Sequence, residues 1–230
     1  SYLLGASLAL LGEEMTVKKM YEMDTYLFES EAVVTALGEE EGKKFFQLDQ
    51  SIFYPQGGGQ PSDTGTIHFD AKEASVDFVA KDGEEIRHYF SGEPPAIGEV
   101  VELVVDQKNR LENANSHSAG HLLASIVEGS FSTMKAVKGY HFPNGSYIEF
   151  EGQLEVEKEE AIALVNQKLC QAISSKWPVE ISEMGGVRQI AMGPFPSVAC
   201  GGTHVANLEQ IGRVVVTKVK RKKGRIRFSY

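Results

Sequence analysis

The segment His117–Glu128, HSAGHLLASIVE, marks the place where the chain changes from strand-like to helical patterning. Ser116 immediately precedes it and is a residue type favoured at helix N-caps. The segment before that, 107–115, is polar and compatible with a helix. We therefore predict a helix over residues 117–128 with Ser116 as its N-cap.

The chain before this segment is patterned as β structure. Its short runs are rich in Val, Phe, Tyr and Ile and are separated by turn formers such as Asp82-Gly83. The predicted strands are Tyr26–Leu37, Lys44–Asp49, Thr64–Phe69, Ser75–Ala80, Glu85–Phe90 and Glu99–Val105. Short strands joined by turns predict a small barrel or sandwich in this half.

The chain after the segment mixes both element types. Glu157–Ser174 has apolar residues at helical spacing, and Pro178 ends that pattern. Further strands are predicted at Met134–Val137, Ser146–Glu151, Val179–Glu183, Arg213–Val219 and Arg225–Tyr230. The predicted fold class is α+β, with an N-terminal small β-barrel domain over residues 15–106 and a domain over residues 107–230 whose helices pack on an antiparallel sheet. Residues 1–14 are short and apolar, and we interpret them as a leader or extension.

Composition restricts the class of protein. The 230 residues are 42% hydrophobic and 24% charged, which is typical of a soluble globular protein. No apolar run reaches the roughly 20 residues that a membrane span needs. Two cysteines, Cys170 and Cys200, predict a reducing, cytoplasmic setting. The net charge of −9 disfavours broad, non-specific binding of nucleic acid.

His117 and His121 form a first candidate metal motif. Their i, i+4 spacing puts both imidazoles on one face of the predicted helix, with Cβ atoms about 6 Å apart. Two neutral imidazoles so placed can bind one metal ion. The spacing alone is unspecific, so two ordinary helix histidines are the alternative.

The segment Cys200–His204, CGGTH, supplies a second pair of ligands. Its two glycines allow a tight backbone turn that lets a thiolate and an imidazole face one point. Cys200 as a small buried apolar residue is the alternative. Two matched motifs in a chain with only six histidines and two cysteines favour one zinc ion, since three imidazoles and a thiolate select Zn²⁺ over Mg²⁺ or Ca²⁺. The predicted ligands are His117, His121, Cys200 and His204.

The same four residues are the predicted catalytic set. A histidine-rich site among small residues favours catalytic over structural zinc, because structural sites are usually richer in cysteine and closed. Four protein ligands leave no open position. One of them, such as His204, would then bind weakly or be displaced.

Phe53–Gly65, FYPQGGGQPSDTG, has three consecutive glycines between two prolines and fits neither helix nor strand. We predict an exposed loop in which the amides of Gly57, Gly58 and Gly59 approach a ligand, while Gln60 orients a water or contacts a terminal adenosine. A plain interdomain turn is the alternative. The tripeptide GGQ also occurs in bacterial-type release factors, although its neighbours here do not resemble theirs.

Seven of the ten residues from Lys218 to Arg227 are basic, and no acidic residue follows Glu209. Such a strip suits a polyanion held in one place. The candidate RNA-binding residues are Lys218, Lys220, Arg221 and Lys223. A solvated, positively charged edge strand is the alternative.

Four segments taken together resemble the free-standing alanyl-tRNA editing proteins of the AlaX type and the editing domain of alanyl-tRNA synthetase. They are FYPQGGGQPSDTG, HSAGHLL, KGYHFPNGSYIEF (138–150) and CGGTHV. The likeness covers nearly all of residues 15–230, with no departure at the four ligand positions. The glycine loop and the β-rich first half resemble the medium-length form. The threonyl-tRNA synthetase editing domain is similar in layout but departs from CGGTHV.

The resemblance implies a zinc-dependent hydrolase that deacylates tRNA(Ala) carrying serine, with glycine as the second amino acid considered, and that uses no nucleotide cofactor. The partner would be the acceptor end of tRNA(Ala). Zinc would either lower the pKa of a water to about 7 or position the amino acid, and Ser118 or Thr203 would contact the serine hydroxyl. Competing interpretations are a structural-zinc RNA-binding module, a hydrolase of small esters or amides, and a threonyl-type editing domain. The oligomeric state is left open.

Overall fold

The computed structural model describes residues 16–230, so the predicted leader over residues 1–14 lies outside the described residues. The two helices are α1 (Gln107–Ser130) and α2 (Lys158–Ser174). Single 3₁₀ turns occur at Met20–Glu22 and Leu208–Ile211. The strands are β1 (Lys18–Lys19), β2 (Glu29–Glu40), β3 (Lys43–Leu48), β4 (Gln50–Ser51), β5 (Gly65–Phe69), β6 (Lys72–Asp82), β7 (Glu85–Gly92), β8 (Val100–Val105), β9 (Lys135–Tyr140), β10 (Tyr147–Glu151), β11 (Val179–Met184), β12 (Val187–Met192), β13 (Val198–Ala199), β14 (Lys218–Lys222) and β15 (Arg225–Ser229).

Six strands close into an antiparallel barrel in the order β2-β3-β7-β6-β5-β8. Apolar and polar residues alternate along them, so one side of each strand fills the barrel and the other faces water. In β8, for example, Val101, Leu103 and Val105 are buried while Glu102 is exposed. Each strand predicted before residue 106 is confirmed, with bounds shifted by at most three residues.

Two further antiparallel sheets follow the barrel. One has four strands in the order β14-β15-β10-β9, and the other has three in the order β11-β12-β13. Barrel, sheets and the two helices confirm the α+β class. Buried apolar residues of α1 and α2 belong to one cluster with residues of the four-stranded sheet, including Ile148, Phe150, Ile226 and Phe228.

The predicted start of α1 is wrong. The helix begins ten residues earlier, where the Asp106 side chain accepts a hydrogen bond from the Asn109 amide at 3.0 Å. Asp106 directly follows the last barrel strand and caps as well as serine does. Ser116 lies inside the helix, with its hydroxyl 2.8 Å from the hydroxyl of Ser146.

Strand assignments in the last third also change, and the two-residue strand β13 was not predicted. The predicted strand Arg213–Val219 begins only at Lys218, because the Asn166 side chain takes a neighbouring strand's place and bonds both the N–H and the C=O of Val216. The strand β12 was not predicted. Its signal is Gly185-Gly186, a two-residue turn with both φ angles positive that joins β11 to β12 as a hairpin.

Candidate metal centre

The fold brings both metal motifs together. His117 and His121 project from α1, and the loop Cys200–His204 follows β13. One ligand atom from each of His117, His121, Cys200 and His204 lies within 4.8 Å of the others, a group that could hold a metal ion. His117 Nε2 is 3.2 Å from His121 Nε2 and 3.6 Å from Cys200 Sγ, while His204 Nε2 is 3.3 Å from Cys200 Sγ.

Hydrogen bonds behind the cluster orient two of its imidazoles. His117 Nδ1 is 2.7 Å from the Gln60 side-chain oxygen, which can only accept, so the ring donates from Nδ1 and its Nε2 lone pair faces the cluster. His204 Nδ1 is 3.0 Å from the Ser118 hydroxyl, and its Nε2 faces the same point. In metal-binding histidines, one ring nitrogen is usually held by such a hydrogen bond, which leaves the other nitrogen free to bind the metal.

Burial keeps these imidazoles neutral. It lowers the pKa of His117 and of His204 well below the ordinary value, and it lowers the pKa of His121 to about 4. Burial raises the pKa of the Cys200 thiol, whereas the Gly202 amide and the Arg188 guanidinium lower it. Neutral imidazoles at neutral pH are the form that binds metals.

The backbone of the Cys200–His204 loop is held by Arg188, which the sequence analysis did not identify. Its Nη1 donates to the carbonyl oxygens of Cys200 and Gly202 at 2.6 and 2.9 Å. Gly202 is required by packing, since a Cβ there would lie 2.2 Å from His117 Cε1. The sequence analysis explained the two loop glycines by a tight backbone turn, but neither has a positive φ, and the requirement that the structure shows at Gly202 is close packing against His117.

The glycine loop is only partly exposed. Gln56, Gly57 and Gly58 face water, but Gln60 has no exposed surface. Gly57 and Gln60 exchange backbone hydrogen bonds across Gly58 and Gly59, whose positive φ angles of 57° and 80° form the turn. The turn directs the Gln60 side chain inward, where both ends of its amide are bonded within the protein.

Ser118 and Thr203 lie behind the ligands and have no exposed surface. The Ser118 hydroxyl accepts a hydrogen bond from the Val205 amide at 3.1 Å in addition to its contact with His204. The Thr203 hydroxyl accepts a hydrogen bond from Gln60 Nε2 at 2.8 Å. Both hydroxyls therefore have protein partners.

A cavity of about 660 Å³ opens onto the cluster. This volume lies within the range of roughly 300–1,000 Å³ that is typical of small-molecule sites. The barrel side, helix α1, strand β9 and the Cys200–His204 loop all contribute to its wall. The lining residues that bear on function are Gly57, Gly58, His117, His121, Lys138, His141 and Cys200.

The basic strip forms the hairpin β14–β15, and strand alternation divides it between two faces. Lys218 and Lys220 lie on the face opposite Val219, whereas Arg221 pairs with Ile226 and shares the core-facing side. Lys223 lies in the turn. A cleft on the outer face is lined in part by Lys138, which also lines the metal cavity, so the two sites adjoin.

Some residues of the site were missed as functional residues. His141 lies in the segment KGYHFPNGSYIEF but was assigned no role, and Tyr230, which follows β15 at the same end of the sheet, bonds to it. Thr25 accepts a hydrogen bond from the His204 amide at 3.2 Å. A histidine between Gly139 and Pro143 was a visible signal for His141, whereas nothing in the sequence singles out Thr25.

No helix within residues 16–230 is long and apolar enough to cross a membrane.

Two family models match parts of the chain. One, described as tRNA synthetases class II (A), matches residues 12–109, and the other, described as the threonyl and alanyl tRNA synthetase second additional domain, matches residues 187–228. The second match contains Cys200 and His204.

Several known proteins are similar along most of the chain. The alanyl-tRNA editing protein AlaX-M of Pyrococcus horikoshii is 30% identical, over 89% of this chain and 91% of its own length. AlaX-M of Methanosarcina barkeri is 29% identical, over 88% and 93%. The alanine–tRNA ligase of Caldivirga maquilingensis is 28% identical over 93% of this chain but only 26% of its own length. The chain thus spans about a quarter of the ligases that it matches and 55% of the AlaX-L protein of P. horikoshii.

Proposed function

The chain belongs to the family of AlaX-type alanyl-tRNA editing proteins, and from that premise we propose that it hydrolyses the ester bond of mischarged tRNA(Ala). Seryl-tRNA(Ala) is the proposed first substrate and glycyl-tRNA(Ala) the second. The observation that carries the proposal is the convergence of three imidazoles and one thiolate at the wall of a cavity large enough for a small molecule. The cytoplasm, where tRNA is charged, is the proposed location.

The proposed cofactor is one zinc ion bound by His117, His121, Cys200 and His204. Zn–N bonds of about 2.05 Å and a Zn–S bond of about 2.3 Å would separate tetrahedral ligands by about 3.3 Å between nitrogens and about 3.6 Å between nitrogen and sulfur. Three of the six separations between donor atoms are near these values, at 3.2 Å between nitrogens and at 3.6 and 3.3 Å between nitrogen and sulfur, and all six are within 4.8 Å, which supports this ion. When bound, it would supply a Lewis acid to the ester.

The surrounding residues are proposed to hold the ligands and to admit the substrate. Gln60 and Ser118 keep the Nε2 atoms of His117 and His204 directed at the metal position, and Thr203 supports Gln60. We assign Ser118 and Thr203 this positioning role because their hydroxyls are buried and bonded within the protein. Gly57 and Gly58 line the cavity and are the proposed contacts for the substrate, with Gly59 completing their turn.

The acceptor end of tRNA(Ala) is proposed to lie along the outer face of the four-stranded sheet. Lys218, Lys220 and Lys223 would contact phosphates there, and Lys138 would lead from this face into the metal cavity. Arg221, the fourth candidate, lies on the other face of β14, the edge strand of this sheet, and would contact a phosphate from the sheet edge.

We also propose the division into a barrel domain over residues 15–106 with the glycine loop and an editing domain over residues 107–230, in which both helices pack on the antiparallel sheet. Gln60 from the first part and His117 from the second meet at the site. The two parts would therefore act together in hydrolysis.

The test is a deacylation assay with tRNA(Ala) carrying serine, glycine or alanine. We expect rapid loss of serine, slower loss of glycine and little loss of alanine. A chelator should abolish the activity and leave the far-UV circular dichroism largely intact. If seryl-tRNA(Ala) is no more labile with the protein than without it, the proposed function is wrong.

Metal removal also separates the main alternative, a structural-zinc RNA-binding module. In that case the chelator would unfold the domain, because a structural metal contributes folding free energy. A hydrolase of small esters would cleave seryl methyl ester as well as it cleaves the tRNA ester. Editing of the threonyl type would be recognised by a preference for tRNA(Thr) carrying serine.

A further inference from the structure

A fourth histidine lies at the metal centre without belonging to it. The His141 ring packs almost parallel to that of His117, with a centroid separation of 4.3 Å and an interplanar angle of 23°. His141 is outside the group whose donor atoms converge, yet it lines the same cavity. It has only 4% of its surface exposed, so the position is a built one rather than a chance surface location.

Tyr230 fixes the tautomer of this ring. The Tyr230 hydroxyl donates its single hydrogen to the Ser116 carbonyl at 2.9 Å. It lies 2.8 Å from His141 Nδ1 and must therefore accept the hydrogen bond there, so Nδ1 carries the ring hydrogen. The neutral ring then has a bare lone pair on Nε2.

The Nε2 atom has no hydrogen-bond partner within the described residues. Within residues 16–230, the side-chain nitrogens and oxygens that are both fully enclosed and without a partner are Arg87 Nε and Arg188 Nη2. His141 Nε2 is not one of these enclosed atoms, so part of its surface is accessible. Since it is neither bonded nor enclosed, this acceptor is reached from the cavity that the residue lines.

Two glycines leave the space that the His141 ring occupies. A Cβ at Gly120, between the two helical metal ligands, would lie 2.4 Å from His141 Nδ1 and 2.6 Å from the Tyr230 hydroxyl. A Cβ at Gly139 would lie 2.4 Å from His141 Nε2. The His141 amide donates to the Gly59 carbonyl at 2.8 Å, which ties the residue to the glycine loop. Four separate segments thus fix one unpaired acceptor.

From this geometry we propose that His141 is a substrate-contacting residue whose Nε2 accepts a hydrogen bond from a donor on the aminoacyl-adenosine end of the substrate. The inference rests on the proposed function and adds a contact outside the metal ligands. Both an ammonium group and a hydroxyl group can donate this hydrogen bond. The ester end offers both, in the amino acid and in the terminal ribose.

The first experiment does not depend on turnover. In metal-loaded protein labelled with ¹⁵N-histidine, long-range ¹H–¹⁵N spectra should show His141 protonated at Nδ1, and Tyr230→Phe should weaken that preference. The probe 3′-deoxy-3′-(L-seryl)aminoadenosine, which carries a stable amide, should shift the Nε2 resonance of His141. A ring protonated at Nε2 would overturn the proposal. If the probe shifts the His121 resonances and leaves those of His141 unchanged, the proposal for His141 is also overturned. The proposed function, hydrolysis of mischarged tRNA(Ala), would stand in that case.

The second experiment measures the contact in catalysis. His141→Phe keeps a planar ring against His117 but removes the acceptor, and we expect kcat/KM for seryl-tRNA(Ala) to fall about 10- to 100-fold, as for loss of one substrate hydrogen bond. His141→Gln, whose oxygen can reach the Nε2 position, should recover part of that loss. His68→Phe, at a barrel histidine whose side chain is 39% exposed, is the matched control and should leave the activity unchanged.

Metal content and Tm distinguish this role from a purely structural one. Activity of His141→Phe within twofold of wild type would overturn the proposal, as would a loss fully explained by lower metal content. Tyr230→Phe, which leaves the imidazole in place, should cause a smaller fall in kcat/KM with full metal content.

An equal loss for seryl and glycyl substrates would identify the donor as the ammonium or the ribose hydroxyl, and tRNA ending in 2′-deoxyadenosine would separate those two. If wild-type protein neither deacylates nor responds to the probe, the proposed function fails and the contact fails with it.

Discussion

Gln60 shows how a single amide can set the direction of an imidazole, here that of His117, a proposed metal ligand. Its oxygen accepts hydrogen bonds from His117 Nδ1 at 2.7 Å and from the Thr203 amide at 3.1 Å, while its nitrogen donates to the Thr203 hydroxyl. The side chain is completely buried. An apolar replacement would leave two buried donors without partners, at a cost of about 1–3 kcal/mol each.

We therefore expect Gln60→Leu to lower zinc affinity about 10- to 100-fold, as other losses of a partner behind a metal ligand do. Gln60→Glu keeps an acceptor for His117 and should stay close to wild type. Competition with a chromophoric chelator measures both affinities. Equal affinities for the Leu and Glu variants would mean that the bond to His117 does not orient the ligand.

At the scale of elements, helix α1 joins the barrel to the metal centre. Its first turns carry Arg110, a fully buried cation that donates from Nε to both Asp63 oxygens at 3.1 and 2.9 Å and from Nη1 to the Thr25 carbonyl at 2.9 Å. The Thr25 hydroxyl accepts a hydrogen bond from the His204 amide. Burial raises the pKa of Asp63, whereas the charge of Arg110 lowers it. One ion pair thus links the glycine loop, the helix and, through Thr25, the proposed metal ligand His204.

Arg110→Met should lower the free energy of unfolding by about 3–5 kcal/mol, because it leaves Asp63 as a buried carboxylate without its partner. Lys108→Met on the same helix is the control. The Lys108 side chain is 85% exposed and 3.9 Å from Glu112, so its removal should cost within about 0.5 kcal/mol. Denaturant unfolding of metal-loaded protein gives both values. A similar effect of the two substitutions would contradict the structural role of the pair.

The sequence predicts elements well where local patterning decides them and less well where distant contacts do. The barrel strands follow apolar alternation, and the four metal-binding candidates follow from their spacing. The start of α1 was missed because Ser116 is a favoured N-cap residue type, whereas the earlier turns are held by distant contacts, such as those of Arg110 with Asp63 and of Asn109 with Thr64. The inward direction of Gln60 depends on a turn geometry and on Thr203, which is 143 residues away, so no local pattern encodes it.

At the scale of the whole molecule, charge is distributed unevenly. The chain has a net charge of −9, yet Lys218, Lys220 and Lys223 lie on or beside the outer face of one sheet. Arg227 on that face is paired with Glu149 at 2.6 Å and lowers the pKa of that carboxyl. The lysines are therefore the cations most available to an anionic partner.

Replacing Lys218, Lys220 and Lys223 by Gln should raise KM for aminoacyl-tRNA about tenfold or more and leave kcat nearly unchanged. The slope of log affinity against log salt should become shallower by about 0.9 for each phosphate that the variant no longer neutralises. Replacing Lys43, Lys44 and Lys72 on the barrel changes the net charge equally and serves as the control. An equal rise in KM for both triple variants would assign the effect to net charge rather than to this face.

The distances along the chain within the metal centre also have a consequence for biosynthesis. Gln60 precedes His117 by 57 residues, and Cys200 follows His117 by 83. At a translation rate of about 5–20 residues per second, about 4–17 seconds separate the appearance of His117 from that of Cys200. Until then the nascent chain contains only two of the four candidate ligands, His117 and His121. If the proposed zinc ion binds here, its complete set of four ligands exists only once Cys200 and His204 have been synthesised, so a chain that stops before residue 200 would carry two of the four.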